Sequence, residues 1–396
     1  MNISEFCKIY TGTGFPIEFQ GKKDGKYPFY KVSDISASNA QQKIFLGSAN
    51  NYIDEFDVSM LKGNIIPAGT IVFAKIGEAL KLNKRAITSC ECLIDNNVIG
   101  IKPDDNIINL LYFYYYLLKI DMIHYSESTT LPSVRKSTIE KIEVKIPPID
   151  VQNKRVSILN LCHETIKYKV ELLYNLELLV KSRFVEMFGD PVINNKNWFS
   201  MNLGEISIKI SSGNTPQGGS RVYTNHGILF IRSQNVWNNR LDLADVVYIS
   251  ESLNEKMKET RLRRNDLLIT KTGRFNTENS SLGRCALYTG SDFQANINGH
   301  VYLVRLKVGY NPNFILSILT SEAYKNLIRT VCVGGIDKRQ LNKFHIESFP
   351  IIIPPVELQN QYVQFLLKIN KLKSDVQKSI DETQLLMNSL MQEYFG

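Results

Sequence analysis

The sequence predicts an α+β chain: two mixed α/β domains, each followed by a long helix, with the two helices pairing as a coiled coil. Three observations carry this. The stretch "IPPIDVQNKRV" at 146–156 returns as "IPPVELQNQYV" at 353–363 in a chain of 396 residues. Each copy heads a segment with no Gly or Pro between its proline pair and its last residue; Pro147 to Gly189 and Pro354 to Gly396 are equal separations, and both segments close on Glu-x-Phe-Gly. The stretches ahead of the two segments also correspond, element by element. Equal length with matched ends marks a long internal repeat rather than a chance echo.

The elements follow in order. "YPFYKVSDI" (27–35) reads as an apolar strand entering a polar turn, as does "ILFIRSQNV" (228–236). "AGTIVFAKIGE" (68–78) and "RNDLLITKTGR" (264–274) each give a turn, an apolar run, a lysine, then Gly and a charge. "NNVIGIKP" (96–103) and "NGHVYLVRLK" (298–307) read as strands, and "LLYFYYYLLK" (110–119) and "PNFILSILTS" (312–321) as short helices. "KIEVKIPP" reads as an alternating strand running into the helix start. Short strands between Gly- and Asn-rich turns are the pattern of a mixed domain.

Each repeated segment is rich in Leu, Lys, Glu, Gln and Asn. The proline pair fits the first turn of a helix, where a missing N–H costs little, and the closing Gly fits a helix C-terminus. In the first segment Val156, Leu159, Ile166, Val170, Leu173, Val180, Phe184 and Met187 keep a 3-4 spacing, with His163 and Glu177 in the gaps. In the second, Tyr362, Phe365, Ile369, Leu372, Val376, Leu386 and Leu390 do the same, broken at Ser379 and Thr383. These are coiled-coil seams. At about 1.5 Å per residue each helix spans roughly 60 Å. A helix of that length with one apolar stripe needs a partner, and the other copy is the obvious one. His163 on the seam reads as a packed histidine rather than a ligand.

Composition narrows the class. Lys and Arg number 47 against 39 Asp and Glu, a net charge of +8, with a pI near 9.0; such a balance suits a polyanionic partner. At 43 % hydrophobic and 22 % charged the chain is ordinary globular material. No apolar run reaches the roughly 18 residues that span a bilayer, and "MNISEFCKIY" lacks the basic-then-apolar pattern of a secretory signal. Six cysteines are scattered without a paired framework, which predicts a reducing, cytoplasmic setting.

Motifs for chemistry are missing. An amino-methyltransferase needs an Asn/Asp/Ser-Pro-Pro-aromatic loop, whereas the Pro-Pro pairs here follow Ile146 and Ile353. "TGTG" (11–14) is a lone Gly-x-Gly, and no Walker loop exists. Pro103-Asp104 with Glu143-Val144-Lys145 imitates a nuclease metal site. It reads instead as a turn and a strand, because the repeat has Phe349 where Lys145 stands. The histidines have no zinc spacing. No catalytic or metal-binding residue is therefore assigned.

With "KIPPIDVQNKRV", "IIPPVELQNQYV" and "WFSMNLGEISIKISSGNTPQ" (198–217), the layout resembles the specificity (S) subunit of type I restriction–modification enzymes over essentially the whole chain. The first domain departs from the family's opening: "MNISEFCKIYTGTGFP" lacks the Trp and the Leu-Gly-Glu, so its first strand is expected to be shortened or differently built. The resemblance implies a target-recognition domain at 1–146, a long helix at 147–189, a second recognition domain at 190–353 and a second long helix at 354–396, the helices antiparallel and the whole pseudo-two-fold. It implies a non-catalytic subunit that reads double-stranded DNA, one half of a split target per domain. The implied partners are two methyltransferase subunits and, for cleavage, restriction subunits. S-adenosylmethionine, ATP and Mg belong to those partners, with no cofactor on this chain. The rival readings are a stand-alone tandem-domain nuclease and a protein-interaction scaffold without a DNA role.

DNA contact calls for Lys and Arg at phosphates and for Arg, Lys, Asn, Gln, Ser or Thr at base edges. Three polar stretches per domain qualify, at corresponding places. In the first domain they supply Lys22, Lys23, Lys26, Lys31, Ser33, Lys75, Lys81, Asn83, Lys84 and Arg85. In the second they supply Thr215, Gln217, Arg221, Arg232, Ser233, Gln234, Asn235, Lys271, Thr272, Arg274 and Asn276.

Overall fold

The computed structural model describes residues 1–126, 132–277 and 279–396. It divides into two compact units, Met1–Leu173 with Asp375–Gly396, and Tyr174–Ser374. The first unit holds a four-stranded antiparallel sheet in the order Cys7–Thr11, Val98–Pro103, Ile71–Ala74, Arg85–Ile87. A three-stranded sheet sets Tyr27–Tyr30 antiparallel to Tyr52–Ile53 and parallel to Leu93–Ile94. The second unit repeats both topologies. Its larger sheet runs Ser207–Ser212, Val301–Leu306, Leu267–Thr270, Cys285–Leu287. Its smaller one sets Ile228–Ile231 antiparallel to Val247–Ile249 and parallel to Ala295–Ile297.

The central strands are mostly apolar because both faces are covered. In the first unit Ile71 and Phe73 join one core cluster with Ile99 and Ile101, while Val72 joins another with Val98 and Ile94. The short helices Leu110–Lys119 and Pro312–Leu319 are capped alike. Asn109 Oδ1 accepts from the N–H of Leu111 and Tyr112, and Asn311 Oδ1 from those of Asn313 and Phe314, satisfying donors that a helix start leaves orphaned.

Some local expectations shift. After Tyr30 the chain enters the helix Val32–Ala40 rather than a turn, whereas after Ile231 it makes the single 3-10 turn Ser233–Asn235. The strand predicted at "KIEVKIPP" in the first unit does not form, whereas in the second unit Pro350–Ile352 pairs with Ser200–Asn202 as a strand before the helix. In the first unit its counterpart is the single bridge Asn2–Glu143.

The long helices are Ile149–Phe188 and Val356–Phe395. Their shared Gln has a structural reason: Gln152 Nε2 donates to Pro147 O at 2.8 Å, and Gln359 Nε2 to Pro354 O at 2.7 Å. Each closes the carbonyl of the first proline, beside a helix start whose prolines have no N–H to offer. Gln152 Oε1 also accepts from Asn109 N at 2.7 Å, fastening the long helix to the short one.

Within each unit the two long helices run antiparallel. In the first, Arg155 Nη1 donates to Tyr394 O, and further along Lys169 Nζ reaches Ser379 and Thr383. In the second, Phe184 and Phe188 pack on Tyr362 at ring separations of 5.4 and 5.6 Å, while Glu177 pairs with Lys373 at 2.9 Å.

Val156, Leu159 and Ile166 are buried, and Leu173, Val180, Phe365, Ile369, Val376 and Leu390 are half-buried. Three predicted seam residues stand outside the stripe: Val170, Leu372 and Leu386 are 42, 43 and 54 % exposed. At the first place Lys169 occupies the interface, donating to Ser379 Oγ at 2.7 Å and Thr383 Oγ1 at 3.1 Å, which accounts for the polar break in the second seam. At the second, Lys373 faces Glu177 instead; at the third, Met387 packs against the first unit's core. The spacing also missed buried apolar positions on the helices, Cys162, Leu176 and Phe188 on the first and Val363 and Ile380 on the second.

Candidate nucleic-acid interface

One junction is built the same way in both units. The strand Ile71–Ala74 ends at Lys75, whose N–H donates to Asn97 O and whose C=O accepts from Val134 N. The strand Leu267–Thr270 ends at Lys271, whose N–H donates to His300 O and whose C=O accepts from Leu341 N. A glycine sits beside each junction because the backbones press together there. A Cβ on Gly12 would lie 1.9 Å from Asp95 O, and one on Gly213 would lie 2.2 Å from Asn298 O.

A shallow cavity opens at each junction. The first, about 290 Å³, is lined by Thr11, Lys75, Ser133, Arg135 and Lys136 among others. The second, about 440 Å³, is lined by Ser233, Thr272, Arg274, His300, Asp337 and Lys338 among others. Each mixes cations with small hydroxyl side chains, the chemistry that suits phosphate oxygens and base edges. Lys75, Ser233, Thr272 and Arg274 were among the sequence candidates. Arg135, Lys136, His300 and Lys338 were not. They lie outside those stretches; the signal for Arg135, Lys136 and Lys338 is a basic pair upstream of each di-proline, Arg135-Lys136 before Pro147 and Lys338-Arg339 before Pro354, and His300 has no such signal.

A second feature is shared. Lys31 N donates to Asp34 Oδ2 at 2.8 Å, and Arg232 N donates to Asn235 Oδ1 at 2.9 Å. This clasp corrects the reading of Asn235 as a base reader. It is 2 % exposed, and its Nδ2 donates to Asp242 O and Asp245 O. Arg232 and Gln234 are both held on Asp245. Ser33 is exposed in the first turn of its helix, and Lys31 is half-buried against Gln20 and the Phe15 ring.

Arg85 is the other correction. It is 0 % exposed, with Nη2 donating to Ile120 O at 3.0 Å and Nη1 to Asn83 Oδ1 at 2.7 Å. Its guanidinium packs 5.1 Å from the Phe73 ring centroid. Burial lowers its pKa to about 9. Asn83 is likewise structural, because its Nδ2 donates to Leu118 O. The remaining candidates lie on the surface. Lys22 pairs with Asp57, Lys26 with Glu55 and Lys81 with Glu78, while Lys23 reaches Asn50 O. Thr215, Gln217, Arg221 and Asn276 are exposed; Lys84 and Lys271 are half-buried.

Among the described residues no cluster of three or more His, Cys, Asp or Glu is placed to hold a metal. Asp104, half of the imitation nuclease motif, accepts from the Asn106 backbone two residues on. Among the described residues no helix is long and apolar enough to cross a membrane.

The chain is thus two units built on one plan, each with a shallow cavity that includes cations beside the strand-end junction. The family model described as "Type I restriction modification DNA specificity domain" matches residues 1–177 and 195–383, so the chain belongs to that family. The family is the non-catalytic specificity part of restriction–modification enzymes. Among curated relatives, the putative type I restriction enzyme MjaX specificity subunit of Methanocaldococcus jannaschii is 21 % identical over 202 residues, covering 50 % of this chain and 46 % of that one. The MjaIX specificity subunit of the same organism is 21 % identical over 360 residues, 85 % of this chain and 78 % of that one. The fold is similar to the S subunit of a type I system from M. genitalium, with a TM-score of 0.57 and 12 % identity over 100 % of this chain and 95 % of that one. It is also similar to a chain from a type I restriction–modification assembly, with a TM-score of 0.58 and 16 % identity over 100 % and 96 %.

Proposed function

We propose that this chain is the DNA-reading subunit of a type I restriction–modification complex, with one half of a split target read by each unit. The observation that supports it is the repeated junction: the same backbone frame, beside a cavity that includes lysine and arginine, occurs in both units. In this reading the chain carries no cofactor and no catalytic group. Two methyltransferase subunits and the restriction subunits assemble on it and supply S-adenosylmethionine, ATP and Mg chemistry. The complex works in the cytoplasm.

Methylation mapping of a genome carrying the intact system tests the reading. The expected result is a two-part motif with an unspecified spacer, and binding to it whose log K falls steeply and linearly with log salt. Methyl transfer by this chain alone, or a flat salt response, counts against it. The long helices set the spacer in this reading. Inserting seven residues at matched points of both helices preserves the seam and adds roughly 10 Å to each. The spacer is then expected to grow by about three base pairs at about 3.4 Å each, with both half-sites kept.

A further inference from the structure

In the second unit the strands Val333–Gly334 and Lys338–Gln340 form a hairpin, and the latter also pairs with Thr272–Arg274. Its base is braced. Phe275 N donates to Asp337 O at 2.7 Å, and the Phe275 ring carries Arg339 at 4.1 Å and Arg329 at 5.0 Å. Arg329 also donates to Phe275 O at 3.2 Å. At the tip, in the turn that Gly335 N closes on Lys338 O, stands Ile336, 88 % exposed. Turn centres favour Gly, Asn, Asp and Ser, and a β-branched apolar side chain there has no local reason.

One exposed isoleucine is ordinary on any protein surface, so exposure alone carries nothing. Its setting does. The residues next to it, Asp337 and Lys338, line the candidate DNA cavity together with Arg274. The surround is cationic, with Arg274, Lys338, Arg339 and Arg329 against Asp337. A rigid apolar point ringed by arginine and lysine fits a polyanion that holds apolar surface within its grooves, and a two-stranded ribbon is narrow enough to enter the major groove.

We propose that Ile336 is a specificity-determining residue. The hairpin tip enters the groove at the half-site read by the second unit and sets Ile336 against the apolar surface of a base, a thymine methyl or the face of a partly unstacked step. Lys338 and Arg274 meet the flanking phosphates. This rests on the DNA-reading role proposed above.

The test selects binders from a pool of random-sequence duplexes, using the full chain, Ile336→Ser, Ile336→Val and Lys338→Ala. The unaltered chain is expected to enrich a two-part motif. Ile336→Ser keeps the first part, loses preference at one or two adjacent positions of the second, and binds the selected duplex weaker by on the order of tenfold. Ile336→Val keeps the whole motif. Lys338→Ala weakens every duplex alike and lowers the salt slope by about 1. An unchanged motif and affinity in Ile336→Ser overturns the wedge while leaving DNA reading intact, and the loss of a co-purifying protein alongside that unchanged motif assigns the tip to a protein contact instead. Uniform weakening, or a lowered melting temperature, makes Ile336 a general or structural contact and also overturns it. An unaltered chain that enriches no motif overturns the DNA-reading role itself.

Discussion

The two junctions share a backbone and differ in what they display. Gly12 and Gly213 sit at the same close approach, and the strand-end lysines make the same pair of main-chain hydrogen bonds. Around that frame, Asn97 stands where the second unit has His300, and Ile76 where it has Thr272. The clasp behind the frame is a carboxylate in one unit, Asp34, and an amide in the other, Asn235. The lesson is that the scaffold is held by main-chain contacts that tolerate any outward side chain, which leaves the cavity lining free to differ between the halves.

The largest expected effect breaks the frame itself. Gly12→Ala or Gly213→Ala forces a methyl into a backbone carbonyl and is expected to cost about 3 kcal/mol, the upper end for overpacking, read by urea unfolding of the affected unit. Gly14→Ala, with nothing within 4 Å of the added carbon, is the control and should be near neutral. If the two substitutions are equally harmless, the shared frame is not what holds the junction.

The clasp gives the next effect. Asn235→Ala strands Arg232 N and two carbonyls, an expected loss of about 1–3 kcal/mol in stability. Asn235→Asp copies the first unit's chemistry but cannot donate to Asp242 O and Asp245 O. It should be nearly as damaging, whereas Asp34→Asn keeps an acceptor for Lys31 N and loses only the one that Oδ1 offers to Asn50, so it should cost less. Equal effects of the two exchanges would mean that the clasp's chemistry is interchangeable.

Lys169→Ala removes the donor to Ser379 and Thr383 and is expected to cost about 1 kcal/mol, measurable by thermal unfolding. The double change of Ser379 and Thr383 to Ala should add little once Lys169 is gone, because the three act together.

The smallest effect is a pH dependence confined to the first unit. Burial lowers the pKa of His163, whose Nε2 lies 3.0 Å from Gln42 O, against weaker opposing pulls from that hydrogen bond and Glu164; Lys167 lowers it further. A folded-state value below the unfolded one means that the unfolded chain binds the proton more readily. Stability is therefore full above the usual imidazole value and declines as pH falls below it. His163→Gln should flatten that slope in an acid titration of the unfolding midpoint.

The repeat made the architecture legible, because equal spacing between matched ends survives any divergence of the side chains between them. The long helices and the strand-lysine-glycine junctions were readable for the same reason. The side-chain roles were less so. Arg85 and Lys84 are adjacent in one basic stretch, yet the strand Arg85–Ile87 turns Arg85 inward toward Ile120 O. Asn235 looked like a reader because polar residues after a strand read as a loop, and only the three-dimensional turn shows its side chain occupied by main-chain partners. Val170, Leu372 and Leu386 failed because a 3-4 count cannot tell which of two adjacent positions a polar layer such as Lys169 or Lys373 will take.

The antiparallel pairing has a consequence for the order of synthesis. The first unit takes part of its wall from Met387, Leu390, Met391, Tyr394 and Phe395, which pack on the core containing Tyr112 and Phe113. Arg155 waits for a partner that is translated 239 residues later. The second unit, Tyr174–Ser374, is one unbroken stretch. Although domains generally fold as they leave the ribosome, N-terminal first, here the unit begun first is completed after the other. Until residues 375–396 emerge, the nascent chain carries an open apolar wall on its older half.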